Sequence, residues 1–258
     1  MGLLRGLGAE WIEVFTGLPA GRFARLVALV RRRGGDGPGG GRPWCLPLSD
    51  RVLVVAVYYR TNLTMRQLGP MFGISAATVH RIVAKLGPLL AIAPVRRSPD
   101  AFDRVWIVDG TLVPVRDREL AASSKNYRFS ANVQIIIDAD SRLVVATGKP
   151  VRGNVNDAQA YRDSGAATQV ERSGVVVLAD GAYHGTGAII PHRKRAGRPL
   201  LPTQEADNTA HRKVRARIEH VIGRLKDWKI LRDCRLKRDG LIHAIRAIAH
   251  MHNLAMTT

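Results

Sequence analysis

Val105-Trp106-Ile107-Val108-Asp109-Gly110 and Gly174-Val175-Val176-Val177-Leu178-Ala179-Asp180-Gly181 share one pattern: an apolar, β-branched run that stops at an aspartate followed by glycine. Branched side chains favour extended backbone because they pack well on a pleated surface. The first run continues with alternating polarity to Val115, as a half-buried strand does. The second is apolar without alternation, the pattern of a central strand covered on both faces. Two buried strands are therefore expected, each ending in Asp-Gly. A single Asp-Gly is equally well explained as a turn. Two of them at strand ends point to a site, because ligands gather at strand ends in open α/β sheets.

The neighbouring elements set the topology. Ala131–Ile137 and Leu143–Thr147 read as a strand pair around the turn Asp138–Ser141. Asp157–Val170 is helical, 209–231 is the last strong helix, and a further helix covers about 240–254. A three-strand meander, a helix, a buried strand and more helices describe an α/β domain of ribonuclease H-like order. At about 100° per residue, Val214, Ile218, Val221, Ile222 and Leu225 form one apolar stripe of the 209–231 helix. Arg212, Arg215, Glu219 and Lys226 line its border, with Gly223 among them leaving room for a close approach. Glu219 thus sits at the rim of the buried face, within reach of a cleft. The competing reading is an i,i+4 Arg215–Glu219 ion pair on a solvated face.

Asp109, Asp180 and Glu219 together make a carboxylate cage. Such oxygens suit Mg²⁺ or Mn²⁺ rather than Zn²⁺, which prefers His and Cys. Two such ions can serve phosphodiester chemistry by activating the attacking oxygen and stabilising the leaving one.

The first third of the chain reads differently. Residues 11–30 form an amphipathic helix with Phe15, Leu18, Phe23, Leu26, Leu29 and Val30 on its apolar face. Arg31-Arg32-Arg33 follows, then six glycines and one proline within Gly34–Gly41, expected as a flexible linker or exposed loop. Residues 50–60 form a short apolar helix with Ser49 as its cap. The stretch Thr64 to Val83 is a helix-turn-helix pattern. Leu68 and Phe72 mark the first helix, Gly73 the left-handed turn, Ile74 the core plug and Ser75 the cap of the second helix. Val79, Ile82 and Val83 face inward. Ala76, Ala77, Thr78 and Arg81 are left exposed where a recognition helix meets base edges. Pro70 is tolerable only near a kink or an exposed turn. The expected organisation is a helical segment over 1–33, a linker over 34–44, a helix-turn-helix region over 45–98 and a catalytic domain over 99–258.

Charge supports this division. The net charge is +19 over 258 residues. Residues 1–98 hold 14 basic and 4 acidic residues, 99–188 hold 10 and 11, and 189–258 hold 16 and 6. Two basic blocks flank a nearly neutral one that carries Asp109 and Asp180. A field of this size attracts polyanions, nucleic acid foremost. The longest apolar run, Val52–Tyr59, is far short of the about 20 residues of a spanning helix. Glu10 and Glu13 among the N-terminal apolar residues argue against a signal peptide. Cys45 and Cys234 form neither a metal-ligand spacing nor a disulfide framework. No membrane partner and a cytoplasmic location are expected.

Several segments now resemble one family. Val108-Asp109-Gly110-Thr111, Asn132-Val133-Gln134, Gly153-Asn154-Val155-Asn156-Asp157, Leu178-Ala179-Asp180-Gly181-Ala182-Tyr183 and Arg215-x3-Glu219-x6-Lys226 resemble the motifs of DDE transposases of bacterial insertion sequences, in the group spanning families four and five. The last is similar to that group's Tyr-Arg-Glu-Lys motif, with Arg212 at the tyrosine position. Asn156 stands where a histidine is common. The resemblance covers essentially the whole chain. It implies Asp109, Asp180 and Glu219 as the metal triad, with Asp157 as a rival second aspartate read instead as part of a helix start. It implies Arg215, Lys226 and Arg212 on phosphates, and Ala77, Thr78 and Arg81 on DNA. The implied partners are the double-stranded terminal inverted repeats, target DNA and a second copy of the chain. Tyr183 and His184 are equally readable as DNA contacts or as packing and turn residues. His192, His211 and His220 read as surface or structural. Two rivals share part of the pattern: a ribonuclease H-like nuclease without strand transfer, and a helix-turn-helix regulator that needs no carboxylate triad.

Overall fold

The structure, a computed structural model, describes residues 9–37, 43–93 and 103–257. Residues 38–42 of the expected linker and 94–98 of the expected helix-turn-helix region lie outside the described residues. The chain forms two compact units, one of Met1–Ile92 with Leu225–Thr258, the other of Ala93–Arg224.

The first unit is helical: α1 (Ala9–Thr16), α2 (Ala20–Arg32), α3 (Leu48–Thr61), α4 (Met65–Phe72), α5 (Ala76–Leu86) and the C-terminal α9 (Gly240–Met256). The single helix expected over 11–30 is two. Gly17 takes a left-handed φ of 69° and Pro19, extended, precedes α2, so the helix stops and restarts. Helix α3 is apolar on nearly every side and buried on every side, the signature of a core helix. Pro47 rather than Ser49 precedes its first turn, and no side chain caps it. The start of the expected linker is held, not loose: Arg51 donates to the Gly35 carbonyl and to Asp36.

Leu225–Thr258, the end of the segment expected as the catalytic domain, packs with these helices. Asn62, which ends α3 in the left-handed region, donates to the Asp233 carbonyl and accepts from Arg235. Arg22 donates to the carbonyls of Leu254 and Ala255, and His250 meets the Leu90 carbonyl. The apolar face of α9 is buried there.

The second unit is a mixed sheet with helices. Its strands are β1 (Val105–Pro114), β2 (Ser130–Asp138), β3 (Val144–Thr147), β4 (Val151–Arg152) and β5 (Val176–Leu178), in the order β3-β2-β1-β5, with β4 pairing β2. The meander β1-β2-β3 is antiparallel and β5 runs parallel to β1, the order expected from the sequence. Two details differ. Strand β5 is not central among the described strands. It pairs with β1 on one side, and on the other Ile189 exchanges backbone hydrogen bonds with Val177 and Ala179. The helix expected over 157–170 is two, α6 (Asp157–Asp163) and α7 (Ala166–Ser173), broken at Gly165 with φ 75°. These pack Tyr161, Ala166 and Val170 onto Trp106, Val108 and Val177. Helix α8 (Pro202–Lys226) follows and runs to the unit's last residues.

Candidate active site and nucleic-acid interface

The strand pairing places the aspartates. The parallel register of β1 and β5 ends at Ile107–Leu178. Asp109 and Asp180 each lie two residues past that pair, on neighbouring chains running the same way. Asp109 does not end its strand, as the sequence suggested. Antiparallel pairing with β2 carries β1 on to Pro114, so Asp109 sits in mid-strand opposite Ile135. Asp180 does leave the strand: its Oδ1 accepts from Ala182 N (2.8 Å) and caps a short 3-10 turn, Gly181–Tyr183.

Helix α8 supplies the third carboxylate. Arg215 donates through Nη1 to Asp109 Oδ2 at 3.4 Å and through Nη2 to Glu219 Oε1. The i,i+4 ion pair weighed from the sequence is therefore present, and it is tied to Asp109. Arg215 and Asp109 are largely buried, whereas the Glu219 side chain is 53% exposed. Among the described residues, no group of three or more His, Cys, Asp or Glu side chains is arranged to enclose a metal ion. The Arg215 guanidinium bridges Asp109 and Glu219 where a cation would neutralise them.

Burial pushes the Asp109 carboxyl up to about 6; Arg215 and the Gly110 N–H oppose the rise, and Asp180 and Asp157 add to it. A divalent cation beside carboxylates that raise one another's pKa would stabilise their ionised form. The donor set, carboxylate oxygens, fits a hard ion.

Asp157 belongs to a different network. It is the first residue of α6, after the cap Asn156. Its Oδ1 accepts from Asn132 Nδ2 (2.8 Å) and Gln134 Nε2 (3.4 Å). A Cβ on Gly110 would come within 2.1 Å of that oxygen, so only glycine admits it. Gln134 Oε1 in turn accepts from Tyr183 Oη at 2.6 Å. Tyr183 is 1% exposed, which removes it from any DNA surface. Burial, with Asp157, Asp109 and Asp180 nearby, pushes its phenol well up and keeps it a neutral donor. Sequence reading gave Asn132 and Gln134 no role. Their signal was two amides inside an otherwise apolar strand.

The remaining residues are distributed as follows. Arg212 is exposed and folds onto its own helix, bonding the Asn208 carbonyl and Thr209. Lys226 is the last residue of α8 and falls in the helical unit. His184 is exposed, His192 pairs with Asp207, and His211 is buried against the Ile189 carbonyl. His220 is exposed. In the helical unit, Thr64 and Gln67 form a reciprocal capping box at the start of α4. Gly73 turns with φ 65° and Ser75 Oγ accepts from Thr78 N to cap α5. Pro70 sits in the last turn of α4. The Gly69 before it has no room for a side chain, because a Cβ would meet the Ile74 carbonyl at 2.6 Å. Val79, Ile82 and Val83 are buried; Ala77 and Arg81 are exposed, with Arg81 Nη2 on Thr78 Oγ1 (3.1 Å).

Asp109 in mid-β1 and Asp180 just past β5, with Arg215 of a basic helix tying Asp109 to Glu219, together with a helix-turn-helix, define a DNA-cutting enzyme with its own DNA reader. The family described as DDE superfamily endonuclease matches residues 108–253, and the helix-turn-helix of DDE superfamily endonuclease matches residues 44–95. The chain belongs to this family, among the transposases of bacterial insertion sequences. It is 53% identical over 257 residues to a protein described as the transposase for insertion sequence element IS112 of Streptomyces albus G, covering 99% of each chain. It is 25% identical over 271 residues to one described for element IS702 of Microchaete diplosiphon, covering 97% of this chain and 96% of that one. A crystal structure of a pre-cleavage Mos1 transpososome is similar at 12% identity and a TM-score of 0.23, covering 87% of this chain and 82% of that chain. DDE superfamily endonucleases generally depend on divalent metal ions. No helix among the described residues is long and apolar enough to cross a membrane.

Proposed function

We propose that this transposase binds the terminal inverted repeats of its insertion sequence, cuts the DNA there and joins the freed end to target DNA, with Asp109, Asp180 and Glu219 as its catalytic carboxylates. The observation that carries this reading is the placement of Asp109 and Asp180 two residues past the Ile107–Leu178 pair, with Arg215 tying Asp109 to Glu219.

The three carboxylates would hold Mg²⁺ or Mn²⁺, as two ions. When bound, such ions lower the pKa of an attacking water or hydroxyl and neutralise the leaving oxygen. In the first step a water oxygen bonds to phosphorus and the P–O3′ bond breaks, leaving a 3′-OH and a 5′-phosphate. In the second, that 3′-OH oxygen attacks a target phosphorus and displaces the target's 3′ oxygen. Arg215 holds charge beside the scissile phosphate, exchanging a carboxylate for a phosphate oxygen. Arg212 and Lys226 contact backbone phosphates along the strand. Ala77, Thr78 and Arg81 meet base edges in the major groove. The chain acts as a homodimer on DNA, because two element ends require two active sites, and it works in the cytoplasm at the nucleoid.

Glu219→Gln tests the reading. The amide keeps shape and helix and removes the charge a divalent cation needs. Cleavage of a labelled repeat end in Mg²⁺ is expected to be lost, while retention of the same DNA in a gel shift stays at the wild-type level. Wild-type cleavage by the variant reduces Glu219 to an ion-pair partner and ends the mechanism.

A further inference from the structure

Between Asp180 and Glu205 the chain contains no acidic residue, yet it contains Arg193, Lys194, Arg195 and Arg198 within six positions. These four are exposed. They occupy a small hairpin: Arg195 and Arg198 bridge as antiparallel partners, Arg198 N donates to the Arg195 carbonyl (3.1 Å), and Gly197 turns with φ 70°. A run of surface cations is ordinarily a solvated face, so the way this hairpin is held matters.

Its root is fixed on both sides. His192 N donates to Asn208 Oδ1 (2.8 Å) and Asn208 Nδ2 returns a bond to the His192 carbonyl (3.0 Å). Just before it, Ile189 is hydrogen-bonded along β5. Just after it, Leu201 N donates to Gln204 Oε1 (3.1 Å) at the start of α8. Arg193, Lys194 and Arg198 line an open groove at this root together with His184 and Gln204. His184 directly follows the 3-10 turn that Asp180 caps. The hairpin is thus a rigidly rooted arm of four cations emerging beside the Asp180 turn, in a unit whose residues 99–188 carry 10 basic and 11 acidic residues.

We propose that the Arg193–Arg198 hairpin and the groove at its root are a second DNA-binding surface, one that grips backbone phosphates next to the cut without reading base sequence. Guanidinium and ammonium groups on a short arm match the charge of a phosphate chain, and the arm itself, residues 193–198, carries no aromatic or amide side chain to read bases. The location beside the cut rests on the assignment of Asp180 to the active site. The affinity for phosphate does not.

The test is salt-dependent binding of the full chain to a duplex of random sequence, followed by fluorescence anisotropy. Each phosphate contact contributes a slope of about −0.9 to log K against log salt. Replacing Arg193, Lys194, Arg195 and Arg198 by Gln is expected to make the slope shallower by about 0.9 per lost contact, up to about 3.6. Repeat-end and random DNA should weaken by the same factor, leaving their ratio unchanged. A control variant carries Gln at Lys149, Arg152, Arg162 and Arg172, which are equally exposed in the same unit. It removes the same net charge and should leave the slope near wild type. Thermal unfolding of both variants verifies the fold. An unchanged slope in the hairpin variant, or an equal loss in the control, overturns the proposal. The Glu219→Gln protein, in the same assay, should keep the wild-type slope, so failure of the catalytic assignment and failure of the hairpin give different results.

Discussion

Asp109→Asn should make the metal-free protein more stable at neutral pH while abolishing cleavage. In the folded protein burial raises this carboxyl from 3.8 to about 6, against the pull of Arg215. At about 1.4 kcal/mol per pH unit, that rise corresponds to about 3 kcal/mol of preference for the neutral form. Asparagine has nearly the shape of the protonated acid and carries no charge. Because the folded pKa lies above the unfolded one, the unfolded state releases the proton first. The wild type therefore has its full share of stability below pH 3.8 and loses it as pH rises from about 4 to 6. Above that window the Asn variant should be more stable by up to about 3 kcal/mol, and below it the two should converge. For a chain of this size that is roughly 6–12 °C in unfolding temperature at pH 7. Urea and thermal unfolding in chelator from pH 4 to 8 would measure the gap. A divalent cation added at pH 7 should then stabilise wild type and leave the variant unmoved. A variant no more stable than wild type at pH 7, or a gap that ignores pH, would refute the view of Asp109 as a carboxylate held against its electrostatic preference.

Two further outcomes follow from other parts of the molecule. Arg81→Ala should cost about 1–3 kcal/mol on repeat-end DNA and little on random DNA, as for a lost bidentate base contact; equal losses in competition binding would make Arg81 a phosphate contact. Tyr183→Phe should destabilise the protein by about 1–3 kcal/mol in urea unfolding, because Gln134 Oε1 is left buried without its donor; an unchanged midpoint would show that Asp157, Gln134 and Tyr183 are not coupled.

Local features were legible because local chemistry decides them. Gly73 must turn left-handed whatever surrounds it, Ser75 caps the helix that follows it, and the period-3.6 apolar sets of α4 and α5 can be buried on only one face. Asp109, Asp180 and Glu219 stood out as charges bordering apolar runs, and their neighbourhood is now described, with Arg215 between two of them. The break of the first helix at Gly17-Leu18-Pro19 was also written in the sequence, and the continuous apolar pattern on either side concealed it.

Other features depend on what packs against what. Whether β1 stops at Asp109 is decided by β2, a partner beyond the next loop, which carries the ladder on to Pro114. Apolar periodicity says that α9 must be buried but not by which partner, and the bonds of Arg22 to the Leu254 and Ala255 carbonyls and of His250 to the Leu90 carbonyl tie it to the N-terminal segment. Asp157 looks like a rival ligand in the sequence. Only the approach of α6 to Gly110, Asn132 and Gln134 makes it the acceptor at the end of a buried chain of hydrogen bonds. Sequence by itself fixes which groups are charged and which segments turn, because those are properties of single residues and their neighbours. Which charges come near one another is decided by the register of two parallel strands and the seating of one helix, contacts between residues far apart in the chain.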